Sequence, residues 1–132
     1  MPDAALEPQT IESIARLQSI EAEGAPGLLA QLALDLDLGF RDGLAAMWAA
    51  IRHSDAAALQ FAAHTLRGSC GIVGAPAVVG LYQQVEDLAR QGRLASVAPL
   101  LRRLERQHPA VIALVRRAAT TPAAELAGSE PH

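Results

Sequence analysis

Apolar residues recur at spacings of three and four along most of the chain, and no segment alternates apolar with polar positions as a half-buried strand does. The pattern predicts amphipathic helices throughout and an all-α fold. Five segments carry it, and each ends at glycine, proline or a change of composition: residues 10–20, 26–52, 55–73, 76–91 and 94–119.

Polar residues, glycine and proline mark the ends of these segments. Thr10 and Ser54 are the candidate N-caps of the first and third segments, because a hydroxyl oxygen accepts from the free backbone amides of a first turn. Gly74 is expected to close the third segment. Pro109 interrupts the last segment, so we expect a kink or a short break near His108.

The lengths of the segments and of their connections favour a bundle. Short connections between long amphipathic helices make neighbours in sequence pack antiparallel, so we predict an antiparallel up-and-down four-helix bundle with a short additional N-terminal helix. A chain of 132 residues suits one domain with one core. We place the domain at residues 10–119, between an N-terminal tail, 1–9, and a C-terminal tail, 120–132, which is predicted to be disordered because it lacks periodicity.

One histidine of the third segment, in the stretch "AAHTLRGSCGIVGAP", is out of phase with the apolar residues around it. At about 100° of turn per residue, those apolar residues form one stripe. The stripe consists of Leu59, Ala62, Leu66, Cys70 and Val73. His64 points roughly 160° away from the middle of the stripe. We therefore expect its side chain to face solvent.

The residues that follow the histidine determine what can reach it. Gly68 and Gly71 lie four and seven residues later, on the same helix face. Because helical side chains lean toward the N-terminus, a larger residue at position 68 would project over the imidazole, and glycine leaves that space open at a cost of about 1 kcal/mol. Arg67, three residues after His64, brings positive charge beside the ring.

This combination of residues suits phosphoryl transfer. A solvent-facing imidazole is mostly neutral at pH 7, so a ring nitrogen can act as a nucleophile without a separate base. Phosphoryl transfer depends on positioning and charge stabilisation more than on covalent machinery. An accessible His64, the cation of Arg67 and the open face at Gly68 would be sufficient if a partner supplies the rest.

Composition narrows the classes of function. The net charge of −3 is small, but residues 1–55 hold nine acids and three arginines, whereas residues 90–117 hold seven arginines and one glutamate. The basic last helix makes a DNA-associated regulator a minor hypothesis, since the chain has no lysine and few aromatic residues. A single cysteine excludes an intrachain disulfide, and no run resembles a signal peptide or a membrane span. We expect a cytoplasmic protein that binds no nucleic acid and does not insert into membranes.

The stretch "AHTLRGSCGIVGA" resembles the signature of histidine phosphotransfer (HPt) domains, in which a histidine is followed by a lysine three residues later, then by a glycine and a small residue. A looser resemblance covers about residues 10–117, including "LYQQVEDLARQGRL". HPt domains are four-helix bundles without catalytic activity of their own, and they relay phosphoryl groups to and from aspartates of receiver domains. The resemblance implies that His64 is the phosphoacceptor.

The resemblance also implies roles for neighbouring residues. Arg67 stands at the lysine position and would stabilise phosphate charge, with a planar guanidinium in place of a compact ammonium. In related domains of the chemotaxis histidine kinases a glutamate of the following helix holds the imidazole, and Glu86 stands at that position. We expect a receiver to contact a set of residues around the histidine: Gln60, Phe61, Arg67, Gly68, Gly71 and Gln83.

Other interpretations of these residues stay open from the sequence alone. His64 could be a surface histidine without function or a metal ligand, although no other histidine stands at a ligand spacing from it. Glu86 could pair with Arg90 one turn later instead of orienting the ring. Phe61 could pack against a neighbouring helix instead of contacting a partner, and Cys70, on the apolar stripe, is predicted to pack in the core.

The leading hypothesis is a phosphorelay intermediate, in which His64 accepts a phosphoryl group from a receiver aspartate or a kinase and passes it to another receiver aspartate. We expect receiver domains or a hybrid sensor histidine kinase as partners, Mg²⁺ on the receiver, no cofactor or metal on this chain, and a monomer. The alternative is a helical adaptor that binds a receiver or another signalling partner without being phosphorylated.

Overall fold

The computed structural model describes residues 7–122 and 125–126. Within these ranges the chain is all-helical, which confirms the expected fold class. The α-helices are α1 (Pro8–Gly24), α2 (Leu28–Arg52), α3 (Ala56–Val73), α4 (Pro76–Arg90) and α5 (Ala98–Ala118). A single 3-10 turn, Leu94–Ser96, lies between α4 and α5.

The first helix begins two residues earlier than the sequence predicts, so Thr10 as its N-cap is wrong. Pro8 occupies the first turn, where its missing N–H has no cost, and Thr10 lies inside the helix. The buried Thr10 hydroxyl donates to the carbonyl of Gly74 over 2.6 Å. This hydrogen bond ties α1 to the connection between α3 and α4.

The third helix is capped by Asp55, so the prediction of Ser54 is wrong by one residue. The Asp55 carboxylate accepts from the backbone N–H of Ala58 over 3.0 Å. Ser54 precedes it with a φ of 52°, in the left-handed region, and belongs to the turn after α2. At the other end Gly74 closes α3 with a φ of 66°, as expected.

The last helix starts at Ala98 because residues 94–96 form the 3-10 turn, and it runs unbroken through Pro109 to Ala118. Of the kink or short break predicted near His108, the break is therefore absent. Proline removes only one helical hydrogen bond, the one to the carbonyl four residues earlier. The buried side chains of His108, Val111 and Ile112 hold both sides of the proline in the core.

Helices α2 to α5 form a ring around one core, in which α3 packs against α2 and α4, and α5 packs against the same two helices. The whole predicted apolar stripe of α3 is buried, which confirms the phase assigned to this helix. Gly43 lets α2 approach α3 closely, because a Cβ at this position would lie 2.5 Å from Cδ1 of Leu66. Helix α1 contacts α2, α3 and α5.

Some described residues of the predicted C-terminal tail contact the helices. Gln18 of α1 donates to the carbonyls of Ala118 and Thr121 over 3.0 and 2.7 Å. Leu126 is buried, and its N–H donates to the carbonyl of Pro122 over 3.2 Å. The aperiodic sequence gave no signal for this packing, because one apolar residue is enough to fill a site on the core. The rest of the predicted tails, residues 1–6, 123–124 and 127–132, lies outside the described residues.

Candidate functional site

His64 lies near the middle of α3, on the face opposite the buried stripe. Its side chain is 65 % exposed, which confirms the prediction from helical phase. Within the described part of the chain, both polar contacts of the ring are made through Nδ1. The Nε2 atom is therefore the ring nitrogen that is open to an incoming group.

Glu86 of α4 lies beneath the histidine ring. Its Oε1 is 3.0 Å from Nδ1 of His64, and only 4 % of its side chain is exposed. The alternative partner considered for it, Arg90, instead donates to Asp87 over 2.8 Å. The fold thus brings a buried carboxylate of α4 against the exposed imidazole of α3.

Arg67 supplies the positive charge that this buried carboxylate requires. Its Nε lies 2.6 Å from Oε2 of Glu86. This contact is an ion pair without a hydrogen bond, since Oε2 accepts none from the described residues. Arg67 also places Nη2 3.0 Å from Nδ1 of His64, so it leans beside the ring as the sequence predicts. Its guanidinium lies on the Nδ1 side of the ring, away from Nε2.

Gln83 and Asp87 extend this network along α4. Gln83 accepts from Nη1 of Arg67 over 2.6 Å and donates from its amide nitrogen to Asp87 over 3.1 Å. Asp87 accepts hydrogen bonds from Arg90 and from Gln83, and both lower the pKa of its carboxyl. The bond from Arg90 has the larger effect. Asp87 was not among the predicted site residues, although its position four residues after Gln83 on a helix was a readable signal.

The glycines after His64 leave the face of α3 open. A Cβ built at Gly68 or at Gly71 would meet no atom within 4 Å, which confirms the open space expected there. Glycine at these positions is therefore not required by packing inside the domain. Any steric reason for it has to come from a molecule that approaches this face.

Apolar side chains flank the open face. Phe61 is 74 % exposed, so it does not pack against a neighbouring helix. It borders a hollow of about 280 Å³ that is also lined by Gln60, His64 and Glu86. Ile72, two turns after the histidine, is exposed as well and was missed by the sequence analysis. Its spacing of eight residues from His64 placed it near the same face.

Cys70 belongs to a separate buried cluster beneath the site. The Tyr82 hydroxyl lies 2.6 Å from Nδ1 of His108, within hydrogen-bond distance. Cys70 Sγ lies 3.7 Å from the same nitrogen, and Phe40 stacks on the ring at 4.2 Å between centroids. Burial raises the pKa of the Cys70 thiol to about 12, so the thiolate is suppressed. Cys70 is a packing residue, as predicted.

Residues 7–122 and 125–126 show no features of a metal site or of a membrane span. In these ranges no group of three or more histidine, cysteine, aspartate or glutamate side chains is arranged to hold a metal ion. No helix in the same ranges is long and apolar enough to cross a membrane.

Residues 16–116 match the family model of the Hpt domain. This chain belongs to the Hpt domain family. An Hpt domain is a phosphocarrier, so the chain is a phosphotransfer protein of two-component signalling. Its partners are to be sought among receiver domains and histidine kinases.

A solved structure agrees with the family assignment of this Hpt protein. The crystal structure of histidine-containing phosphotransfer protein B from Pseudomonas aeruginosa PAO1 superposes with a TM-score of 0.68 at 29 % identity. The match covers 82 % of this chain and 90 % of that one. No curated protein sequence matches this chain.

Proposed function

We propose that His64 accepts a phosphoryl group from a receiver aspartate or a kinase and passes it to the aspartate of another receiver. The observation that carries this proposal is the pair of opposite environments at the two ring nitrogens. Nδ1 contacts the buried carboxylate of Glu86, whereas Nε2 has no polar contact among the described residues, and the side chain is 65 % exposed. A ring that is held at one nitrogen and free at the other suits a nucleophile that must be presented to a partner.

The transfer step follows from this geometry. The lone pair of Nε2 attacks phosphorus, the bond between phosphorus and the aspartyl oxygen breaks, and the aspartate leaves as a carboxylate. The ring keeps its proton on Nδ1 and becomes positively charged as the new bond forms. Glu86 accepts the Nδ1–H and stabilises that charge from a buried position. Transfer to the next receiver is the same step in reverse.

The residues around His64 let a partner reach the ring and place a positive charge beside it. Arg67 supplies a cation next to the ring, and the open face at Gly68 and Gly71 admits the partner's active site. We infer that the receiver also contacts Gln60, whose side chain lines the same hollow as Phe61. Because the chemistry on this chain needs only positioning and charge, we propose that the Mg²⁺ is held by the receiver and that this chain binds no cofactor.

We infer the finer architecture from the packing and the connections. The ring of α2 to α5 and the short turns between successive helices favour an antiparallel up-and-down bundle, with α1 as the additional helix. We propose that the protein acts as a monomer in the cytoplasm, where His64 of one domain meets one receiver at a time.

Transfer from a receiver tests the proposal. The full chain is mixed with a receiver that carries a radiolabelled aspartyl phosphate, and the label on the chain is measured before and after acid treatment. We expect acid-labile label on the wild type and on His53→Gln, a control at another exposed histidine, and none on His64→Gln. Binding of receivers without transfer to the wild type would overturn the proposal and favour an adaptor.

A further inference from the structure

Nδ1 of His64 has two neighbours with opposite requirements. Oε1 of Glu86, at 3.0 Å, can only accept, so it needs a proton on Nδ1. Nη2 of Arg67, also at 3.0 Å, can only donate, so it needs Nδ1 without a proton. A neutral imidazole carries one ring proton, so only one of these two hydrogen bonds exists at a time.

Whether Nδ1 pairs with Glu86 or with Arg67 determines the reactivity of Nε2. When Nδ1–H donates to Glu86, Nε2 has a free lone pair and can attack phosphorus. When Nδ1 accepts from Arg67, the ring proton lies on Nε2, and that nitrogen is not a nucleophile. The position of the Arg67 guanidinium therefore controls which tautomer of His64 is populated.

Gln83 holds that guanidinium in place. Its side-chain oxygen accepts from Nη1 of Arg67 over 2.6 Å. The direction of the Gln83 amide is set in turn by Asp87, which accepts from the amide nitrogen over 3.1 Å and is itself paired with Arg90 at 2.8 Å. The result is a chain of contacts along α4 that ends on the ring of α3.

We propose that Gln83 is a positioning residue that acts through Arg67 on the tautomer of His64. This inference rests on the proposed function of His64. In the free domain Gln83 keeps Arg67 at Nδ1, where it competes with Glu86 and holds a fraction of the rings in the unreactive tautomer with the proton on Nε2. An incoming phosphoryl group attracts the guanidinium away from Nδ1. The ring proton then lies on Nδ1 and is donated to Glu86, so Nε2 has a free lone pair as the partner arrives.

Nitrogen NMR of the imidazole measures the tautomer ratio directly. The full chain is labelled with ¹⁵N and studied at an alkaline pH at which the ring signals no longer change with pH. We expect Arg67→Met to raise the ratio of Nδ1–H to Nε2–H by about tenfold, the effect of removing one charge-assisted hydrogen bond. Gln83→Ala should raise it by a smaller factor, because the ion pair with Glu86 still holds the guanidinium. Gln84→Ala, at an exposed glutamine next to Gln83, should leave the ratio at the wild-type value.

A conservative variant separates positioning from structure. Gln83→Glu combined with Asp87→Asn keeps an acceptor for Arg67 and a donor–acceptor pair between positions 83 and 87, and it should restore the wild-type ratio. An unchanged ratio in Arg67→Met would overturn the inference, and a change in Arg67→Met without one in Gln83→Ala would overturn the role of Gln83. A ratio that changes as expected in a protein that accepts no phosphoryl group would instead contradict the proposed function.

Discussion

Nδ1 of His64 lies 3.0 Å from Oε1 of Glu86, so the exposed ring of α3 rests on a carboxylate buried in α4. A buried carboxylate is stable only with partners, and here Arg67 is the cation that compensates it. The three groups therefore have to be understood together. A change at any one of them alters the environment of the other two.

Replacing the buried carboxylate tests its part in the transfer. Glu86→Gln keeps the size of the side chain but loses its charge, so the bond from Nδ1–H weakens from charge-assisted to neutral. A difference of roughly 1.4 kcal/mol between those two kinds of hydrogen bond corresponds to a transfer rate about tenfold lower. The rate is measured with a phosphorylated receiver, and unfolding in urea checks that the variant is folded. A rate equal to that of the wild type would contradict the role given to Glu86.

The open face at Gly68 is tested by filling it. Gly68→Leu should leave the bundle folded and raise the free energy of unfolding by up to about 1 kcal/mol, because leucine is the better helix former. Transfer should fall by about tenfold or more, because the new side chain projects over the imidazole. Gly68→Ala is the matched control and should keep most of the activity. Similar rates in Gly68→Leu and the wild type would show that no partner needs this space.

Two glycines of α2, one turn apart, make a matched pair for packing. A Cβ at Gly43 would lie 2.5 Å from Cδ1 and 3.0 Å from Cγ of Leu66, whereas a Cβ at Gly39 would meet no atom within 4 Å. Gly43→Ala should lower the free energy of unfolding by about 1 kcal/mol or more, since the buried Leu66 side chain would have to shift to admit the methyl group. Gly39→Ala should raise it by up to about 1 kcal/mol. Urea unfolding of both variants measures the contrast, which would be absent if α2 and α3 were not in close contact.

The buried His108 makes stability depend on pH. Burial lowers the pKa of His108 to about 4, from 6.5 for a free imidazole, while Asp37 acts weakly in the opposite direction. The unfolded chain therefore takes up a proton more readily, and stability falls as the pH drops from about 6.5 to about 4. Between about pH 7 and about pH 5 this histidine should account for a loss on the order of 2 kcal/mol.

A variant without the titrating ring isolates that contribution. Urea unfolding of His108→Gln should show a loss between about pH 7 and about pH 5 that is smaller by this amount. His53→Gln, at an exposed histidine, should behave like the wild type. Equal losses in all three proteins would mean that His108 is not kept neutral by the fold.

Helical periodicity was enough to predict which face of α3 each residue occupies. The stripe from Leu59 to Val73 is buried and His64 is exposed, because both depend only on the turn per residue within one helix. The open space at Gly68 could be predicted for the same reason. The spacing of Glu86 from the histidine came instead from the family resemblance, since periodicity does not show which helix faces reach the ring.

The contacts that the sequence did not predict all depend on the relative placement of separate elements. The hydrogen bond of Thr10 to Gly74 joins two segments 64 residues apart, so Thr10 looked like a helix cap when considered locally. The pairing of Arg67 with both Glu86 and Gln83 depends on how α3 and α4 are rotated against each other. The buried cluster likewise depends on how three helices are placed relative to one another, since it joins Tyr82, His108 and Cys70.

Identifying the phosphorylated nitrogen tests the central claim most directly. The chain is phosphorylated by a receiver or a small phosphoryl donor, and the imidazole of His64 is examined by ¹⁵N and ³¹P NMR. The arrangement around Glu86 predicts a phosphoryl group on Nε2 and a proton retained on Nδ1. A phosphoryl group on Nδ1, or on any residue other than His64, would contradict the account.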